Sequence, residues 1–456
     1  MIVIRKRLVL WLIKAYLRKW GRIILFSFIG GLIGFFFFVF FSSRIAHLFP
    51  QKERVGIIGA YTVGSLPPTI TEKLSRGLTK VTTTGDIQPD LAESWDIQNQ
   101  GKKYIFHLKP GISFNNGQEV TSETLGYSFK DVKISKPDKY TVVFELKDQY
   151  APFLATISRP IFPKGLTGLG SYTISDIKLN GDFISSLTLS ASQNKRQQIV
   201  YLFYPNQDAL KTAFLLGDTT TVTGLSDTRL DRENLATHLN TKITKQTNYT
   251  QLVTIFYNTK DAVLSDNKLR KALTYALPNE FDQGERVNLP YPPDSKFFNK
   301  EVSTSRAQDL AHAQLLIDAA AQTSSNSAIP KLTLLTQTKY KSIAVQITKV
   351  WSRLGINTEI IEVDSRPDIF QMYLGDFMVP KDPDQYVLWH SRSENNITKF
   401  DSKRIDKLLE DGRRTINTAQ RKKIYDEFQK YLLDDAVTDT PASFLFFPYS
   451  YTITRR

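Results

Sequence analysis

The chain contains no cysteine. That excludes disulfides, thiolate metal sites, a cysteine nucleophile and a lipid-modified cysteine as membrane anchor. Histidine is scarce: His47, His107, His238, His312 and His390 are the only five, and no two form HExxH or another close metal pair. There is no GxSxG elbow and no GxxxxGK[ST] phosphate loop. Aspartate and glutamate are plentiful but scattered, and no spacing singles out a catalytic pair. The chain is therefore expected to bind rather than catalyse, with no cofactor and no metal. Internal repeats are absent as well.

What is present is length, apolar content and positive charge. The 456 residues suffice for two or three lobes, and 41% hydrophobic with 12% aromatic residues argues against disorder. The net charge of +14 is unevenly placed, because residues 1–22 hold seven cations and no acid. The remainder is diluted among many acids, without the basic stripe and interleaved aromatics of a nucleic-acid binder.

Ile23 to Ser43 is uncharged and mostly apolar, with Phe35 to Phe38 consecutive. At ~1.5 Å per residue it spans roughly 30 Å, the thickness of a bilayer core. Seven cations precede it, and Arg44 alone follows closely. The positive-inside rule places the N-terminus in the cytoplasm and the rest outside. A cleaved signal peptide is the competing reading, but its apolar region is usually ~7–15 residues and ends in a small-x-small site. Upstream, Val9, Leu12, Ile13, Tyr16, Leu17 and Trp20 recur at helical spacing opposite Arg7, Lys14, Arg18 and Arg22. That is either an amphipathic helix on the inner leaflet or the start of one continuous anchor helix.

Beyond Pro50, RVGIIGAY (Arg54 to Tyr61) reads as a first strand. Tyr104, Phe106 and Leu108 alternate with Ile105, His107 and Lys109, the period of a half-buried strand. Asn99-Gln100-Gly101 turns Trp95 to Ile97 back against it. Asn115-Asn116-Gly117 is a second turn, and Thr121 is placed to cap a helix through Phe129. Lys139 to Leu146 alternates as a strand and Gln207 to Gly217 reads as a helix. A helix carrying Leu269, Ala272, Leu273 and Ala276 has Ser265 as its candidate cap and Pro278 at its end. Lys331 to Val363 is a βαβ unit, with Ile343, Ile347, Val350, Trp351 and Leu354 on one helix face and Gly355 at its C-terminal end. Two final helices run from Ser402 to Gly412 and from Thr418 to Asp435.

The run Pro89 to Glu123, PDLAESWDIQNQGKKYIFHLKPGISFNNGQEVTSE, resembles the bacterial extracellular solute-binding proteins of family 5, the dipeptide, oligopeptide and nickel-type receptors of ABC importers. Their P-x-LAESW, GK-x-Y-x-F-x-L, G-x-x-F and V-T-x-E pieces occur here in order. Further likeness lies in Lys73 to Lys80 (a short helix with a Gly77-Leu78 turn), IFYNT, LRKALTYA and Leu289 to Asp294 (LPYPPD). The resemblance covers about residues 52–450. It implies an α/β, two-lobe periplasmic-binding-protein type II fold behind an N-terminal transmembrane helix. The domains would be a cytoplasmic basic segment (1–22), the anchor (23–43), lobe 1 (44–250) with a small inserted subdomain (about 76–164), lobe 2 (251–435) and a return to lobe 1 (436–456). Hinge crossings would fall near Asn248 to Val253 and Asp434 to Thr440.

The resemblance also implies capture of a peptide or other small solute in the interlobe cleft and delivery to ABC permease and ATPase subunits, outside the cytoplasmic membrane. A membrane-tethered receptor of the same fold without transport is the alternative. In peptide-binding relatives a carboxylate four positions before the Pro of D-x-x-[DE]-P pairs with the ligand's α-amino group. Here that position, four before Pro383, is Val379. Asp376, Asp382 or Asp384 would have to take the role, unless Asp382-Pro383-Asp384 is simply a turn. Tyr61, Tyr386 and Trp389 are the aromatic candidates for the cleft wall or for the core.

Overall fold

The computed structural model describes residues 6–46, 51–231, 233–237, 240–303, 307–323, 329–433 and 440–455. Helix α1 (Lys6–Ala46) carries six of the seven N-terminal cations and the apolar run on one continuous 41-residue helix, and Arg5 lies outside the described residues. Within it Ile13–Phe40 is long and apolar enough to cross a membrane, and it is not buried against the rest of the chain. At ~1.5 Å per residue, a helix of this length exceeds the roughly 30 Å hydrocarbon core.

Strand β1 (Gln51–Ile58) begins soon after, three residues earlier than its apolar run suggests. Helix α2 (Pro68–Leu74) ends before Lys73 to Lys80 does, so the helix lies N-terminal to the expected stretch. Gly77 instead passes against the Ser158 backbone, where a Cβ would come within 2.4 Å. Strands β2 (Thr79–Val81) and β3 (Ile87–Pro89) make a small hairpin. The inserted sheet follows: β4 (Ala92–Gln98), β5 (Lys103–Leu108), β6 (Val132–Asp138) and β7 (Thr141–Leu146), in the order β4-β5-β7-β6. Asn99, Gln100 and Gly101 take φ of 51°, 56° and 90°, which closes β4 on β5 as their residue types allow. Tyr104, Phe106 and Phe144 pack with Phe153 of α3 (Phe153–Thr156) in a local core.

The helix expected from Thr121 to Phe129 is one 3-10 turn, Ser122–Thr124, in a capping box with Thr121. Beyond it the chain is extended. Gly126 runs close to the Phe162 carbonyl, and Tyr127 donates through its hydroxyl to Ile157 O at 2.7 Å. Tyr127 and Phe129 also pack on Phe144, and these aromatic contacts outweigh a weak local helix signal.

Three strands follow: β8 (Tyr172–Asn180), β9 (Phe183–Ala191) and β10 (Gln197–Tyr204). Helix α4 (Gln207–Leu216), capped by Asn206, leads to β11 (Thr221–Leu225), a ribbon of β12 (Arg229–Leu230) and β13 (Glu233–Asn234), and β14 (Thr241–Thr247). The chain then crosses at Asn248 to Thr250 into β15 (Gln251–Tyr257) and α5 (Asn267–Tyr275). The cap of α5 is Asp266 rather than Ser265; its carboxylate accepts from Lys268 N at 2.8 Å. Next come β16 (Gly284–Arg286), α6 (Lys300–Ser303), α7 (Leu310–Thr323) and the βαβ unit β17 (Leu332–Thr336), α8 (Lys341–Arg353) and β18 (Thr358–Glu362). Its strands are parallel, and Gly355 takes φ 79° after α8. Strand β19 (Met372–Met378), α9 (Tyr386–Trp389), α10 (Lys403–Arg414), α11 (Thr418–Leu433) and β20 (Ala442–Arg455) complete the chain.

A single 12-stranded sheet runs β18-β17-β19-β15-β20-β11-β1-β10-β9-β8, with β14 and β16 also on β20. The 14-residue β20 is its spine. The first part, Ala442 to Phe446, pairs with β15, and Tyr449 to Arg455 pairs with β14. The strand is thus shared between the two halves of the sheet. Of the second expected crossing, residues 434–439 lie outside the described residues.

Candidate functional site

Where the β2–β3 hairpin faces the second half of the chain there is a cleft of about 400 Å³. Val81, Thr82, Thr83 and Gly85 form one wall. The opposite wall is built from the crossing (Tyr249, Thr250), the Pro-rich loop (Tyr291, Asp294, Ser295) and the segment after β19 (Val379, Lys381, Pro383). Two ion pairs bridge it, Lys296 Nζ to Asp86 Oδ1 at 2.7 Å and Lys381 Nζ to Glu72 Oε1 at 2.8 Å. Lys296 N also donates to Thr84 O at 2.9 Å. The bond from Lys296, then that from Thr84, holds the Asp86 carboxyl below its ordinary value. Farther along, Ala151 N donates to Arg413 O at 2.7 Å, and Arg413 sits over the rings of Tyr386 and Tyr150. The two sides are therefore in contact.

The wall is more apolar than charged. Val379 stands in it, its N–H bonded to Thr250 O at 2.9 Å. Tyr249 donates its hydroxyl to Glu285 Oε2 at 2.7 Å. Its pKa is pushed up to about 12, first by burial and then by that bond, so it remains a neutral phenol. Among the described lining residues the one carboxylate is Asp294, which is exposed.

None of the six side chains singled out from the sequence lines this cleft. Asp376, on β19, accepts from Lys339 Nζ (2.8 Å), the Tyr340 hydroxyl (2.7 Å) and Gln251 Nε2 (2.5 Å). Burial raises its pKa, but the Lys339 bond and the others outweigh it and the net shift is downward. Asp382 gives both oxygens to Arg421, at 2.6 and 2.7 Å, and both side chains are largely buried. Asp384 accepts from Arg413 Nε at 2.8 Å; burial raises its pKa against that pairing.

Both acids also make the turn: Asp382 Oδ1 accepts from Asp384 N and Asp384 Oδ1 from Tyr386 N. Pro383 between them lines the cleft while its carbonyl accepts from the buried Tyr291 hydroxyl at 2.8 Å. Trp389 is buried in the core and donates Nε1–H to Gln385 at 2.8 Å. Tyr386 stacks on His390 and lines a second, more open hollow with Tyr150 and Arg413. Tyr61 packs on Phe203 and donates to Ile58 O at 3.1 Å.

Reasoning from the sequence missed Thr82, Thr83, Tyr249 and Lys381. The fixed distance to Pro383 had already brought Val379 into view, whereas LPYPPD was read only as a Pro-rich loop, without Asp294 as a site residue. Nothing local marks the two threonines, which reach the cleft only because β2–β3 folds over it. Among the described residues no group of three His, Cys, Asp or Glu side chains could hold a metal ion.

Comparison with known proteins agrees with this architecture. Residues 86–133 and 126–399 match the sequence profile of bacterial extracellular solute-binding proteins, family 5. The chain is 25% identical over 461 residues to the oligopeptide-binding protein AppA of Bacillus subtilis, covering 85% of this chain and 83% of that one. It is 22% identical to the probable D,D-dipeptide-binding periplasmic protein DdpA of Escherichia coli, covering 83% and 84%. Among solved structures, Bacillus subtilis AppA with a nonapeptide superposes with a TM-score of 0.67 at 22% identity, covering 89% of this chain and 95% of that one. NikZ of Campylobacter jejuni with Ni(L-His) gives 0.71 at 17% identity, covering 89% and 94%. The fold is thus the two-lobe periplasmic-binding-protein fold, and the chain belongs to the bacterial extracellular solute-binding proteins of family 5.

Proposed function

We propose that this chain captures a small solute in the 400 Å³ cleft and hands it to the permease and ATPase subunits of an ABC importer, tethered by α1 outside the cytoplasmic membrane. In this reading lobe 1 spans 44–250 with the inserted subdomain at about 76–164, lobe 2 spans 251–435, and 436–456 returns to lobe 1. The carrying observation is the cleft itself, walled from both halves and bridged by Lys296–Asp86 and Lys381–Glu72. Such bridges suit a closed state that must also open, since they are exposed pairs of modest strength.

The cleft is at the small end of ligand pockets, which run roughly 300–1,000 Å³. Val379 offers no charge to an ammonium group, and a buried unpaired ammonium costs several kcal/mol or more. The solute is accordingly a compact, largely apolar one, or a peptide-like one with its amine blocked or directed toward Asp294. Asp382 and Asp384 serve by setting Pro383 in the wall. Small-angle scattering with and without saturating solute tests the mechanism; a smaller radius of gyration on binding is expected, and tight binding with an unchanged profile would refute closure. Recovery of permease and ATPase subunits with the tagged chain from native membranes supports import. Recovery of a sensor kinase instead would support the receptor reading.

A further inference from the structure

The junction between α1 and β1 restricts how the folded part can stand on a membrane. Helix α1 ends at Ala46 and β1 starts at Gln51, which leaves four residues between them. Fully extended, the five Cα–Cα steps from Ala46 to Gln51 reach no more than ~18 Å. The headgroup zone is itself ~5–8 Å deep on each side. The N-terminal end of β1 is therefore held at the surface that α1 emerges from.

Strand register says what surrounds it. Gln51 pairs with Gln197, so the turn carrying Lys195 and Arg196 lies beside it, and Gln51 N donates to Arg196 O at 2.8 Å. Strand β14 begins at this end with Thr241 and Lys242, opposite Arg455 and Thr454. Helix α4 returns to the same end, since Thr220, just past its C-terminus, donates to Arg54 O at 2.8 Å. Lys52, Arg54, Lys195, Arg196 and Lys242 are exposed there, against Glu53 and Asp218. Among them Leu216 ends α4 with 75% of its surface exposed. Gly217 at φ 86° and the Arg455 guanidinium, bonded to Phe214 O and Leu215 O, fix that helix end.

We propose that this end of the sheet docks on the membrane, its cations on anionic phospholipid headgroups and Leu216 entering among them. It rests on the reading of α1 as an anchor. The tether supplies the proximity, the basic residues the charge complementarity, and the isolated leucine a contact that water does not favour. The consequence is a fixed stance: β8 runs away from the membrane over nine residues, so the hairpin tip at Asn180 to Asp182 stands roughly 25–30 Å higher.

The cysteine-free chain permits a direct test. Single variants Phe38→Cys, Leu216→Cys and Asn180→Cys of the full chain are labelled with a fluorophore and placed in nanodiscs of neutral and anionic phospholipid carrying a headgroup nitroxide quencher. Quenching is expected at 38 and 216 but not at 180. At 216 it should fall at least twofold in neutral nanodiscs and in Lys52→Gln/Lys195→Gln/Lys242→Gln. Quenching at 38 with 216 no different from 180, or at 216 regardless of lipid charge, would overturn the docking and leave the anchor standing. No quenching at 38 would overturn the anchor and the docking together.

Discussion

Replacing Asp382 with Asn should cost stability before it costs affinity. The carboxylate accepts two bonds from Arg421, at 2.6 and 2.7 Å, and Arg421 is itself 7% exposed. Arg421 Nε donates in addition to Gly412 O at 2.8 Å, so the guanidinium cannot swing out to water without breaking the α10–α11 contact. Burial pulls the arginine's pKa down, but the paired carboxylate outweighs it and raises the net value. With the carboxylate replaced, the guanidinium is still a cation, because arginine is intrinsically far too basic to lose its proton near neutral pH. Removing one member of a buried pair typically costs ~3–5 kcal/mol because the partner charge is left uncompensated. For a cooperative unit of ~150–250 residues, ~1 kcal/mol moves the midpoint by ~2–4 °C. Calorimetry of the full chain in detergent should therefore show a drop of ~6–20 °C for Asp382→Asn. Asp382→Leu with Arg421→Met should recover part of it, since no unpaired charge remains. Asp384→Asn should cost less, because Asp384 takes a single bond from Arg413, whose side chain is more exposed than that of Arg421 (26% against 8%) and can turn to water. A midpoint within 1 °C of wild type for Asp382→Asn, with weakened solute binding, would refute the reasoning and make Asp382 a ligand group.

Val379→Asp should tighten binding of free-amine tripeptides at least tenfold over wild type while leaving N-acetylated ones unchanged, as read by calorimetry; equal response of both would refute the missing-acid argument. The cleft should open in acid. Asp86 is held below its ordinary value of 3.8 by Lys296 across the cleft, so its contribution is complete above 3.8 and is lost as pH falls through the depressed value. Scattering or a dye pair across the cleft should report expansion in that range, and Asp86→Asn should be expanded already at neutral pH. Gly170→Ala should destabilise by ~1–3 kcal/mol, because a Cβ there would come within 2.0 Å of the Lys73 carbonyl on α2.

The elements legible in the sequence were those whose period or turn chemistry acts locally. The β4–β5 hairpin followed from Asn99-Gln100-Gly101 and the Tyr104-Phe106-Leu108 alternation, and the β17–α8–β18 unit from one helix face ending at Gly355. Strands β8 and β9 escaped because polar residues such as Ser175, Asp176 and Ser185 interrupt their apolar positions, and long-range pairing rather than local pattern defines them. The same holds for the site. Val379 could be placed on the cleft by its fixed distance from Pro383. The acids beside Pro383 could not be assigned, because their partners Arg413 and Arg421 lie on helices distant in the chain. Thr82 and Thr83 enter the cleft through tertiary folding alone.

The most direct measurement is native mass spectrometry of the gently purified full chain beside a Thr250→Trp variant. Thr250 lines the cleft at the crossing and is otherwise exposed, so an indole there fills the cavity and leaves both cores intact. The account predicts a small solute on the wild-type chain, released on unfolding and missing from the variant. A solute retained equally by both, or none on the wild-type chain under any growth condition, would contradict it.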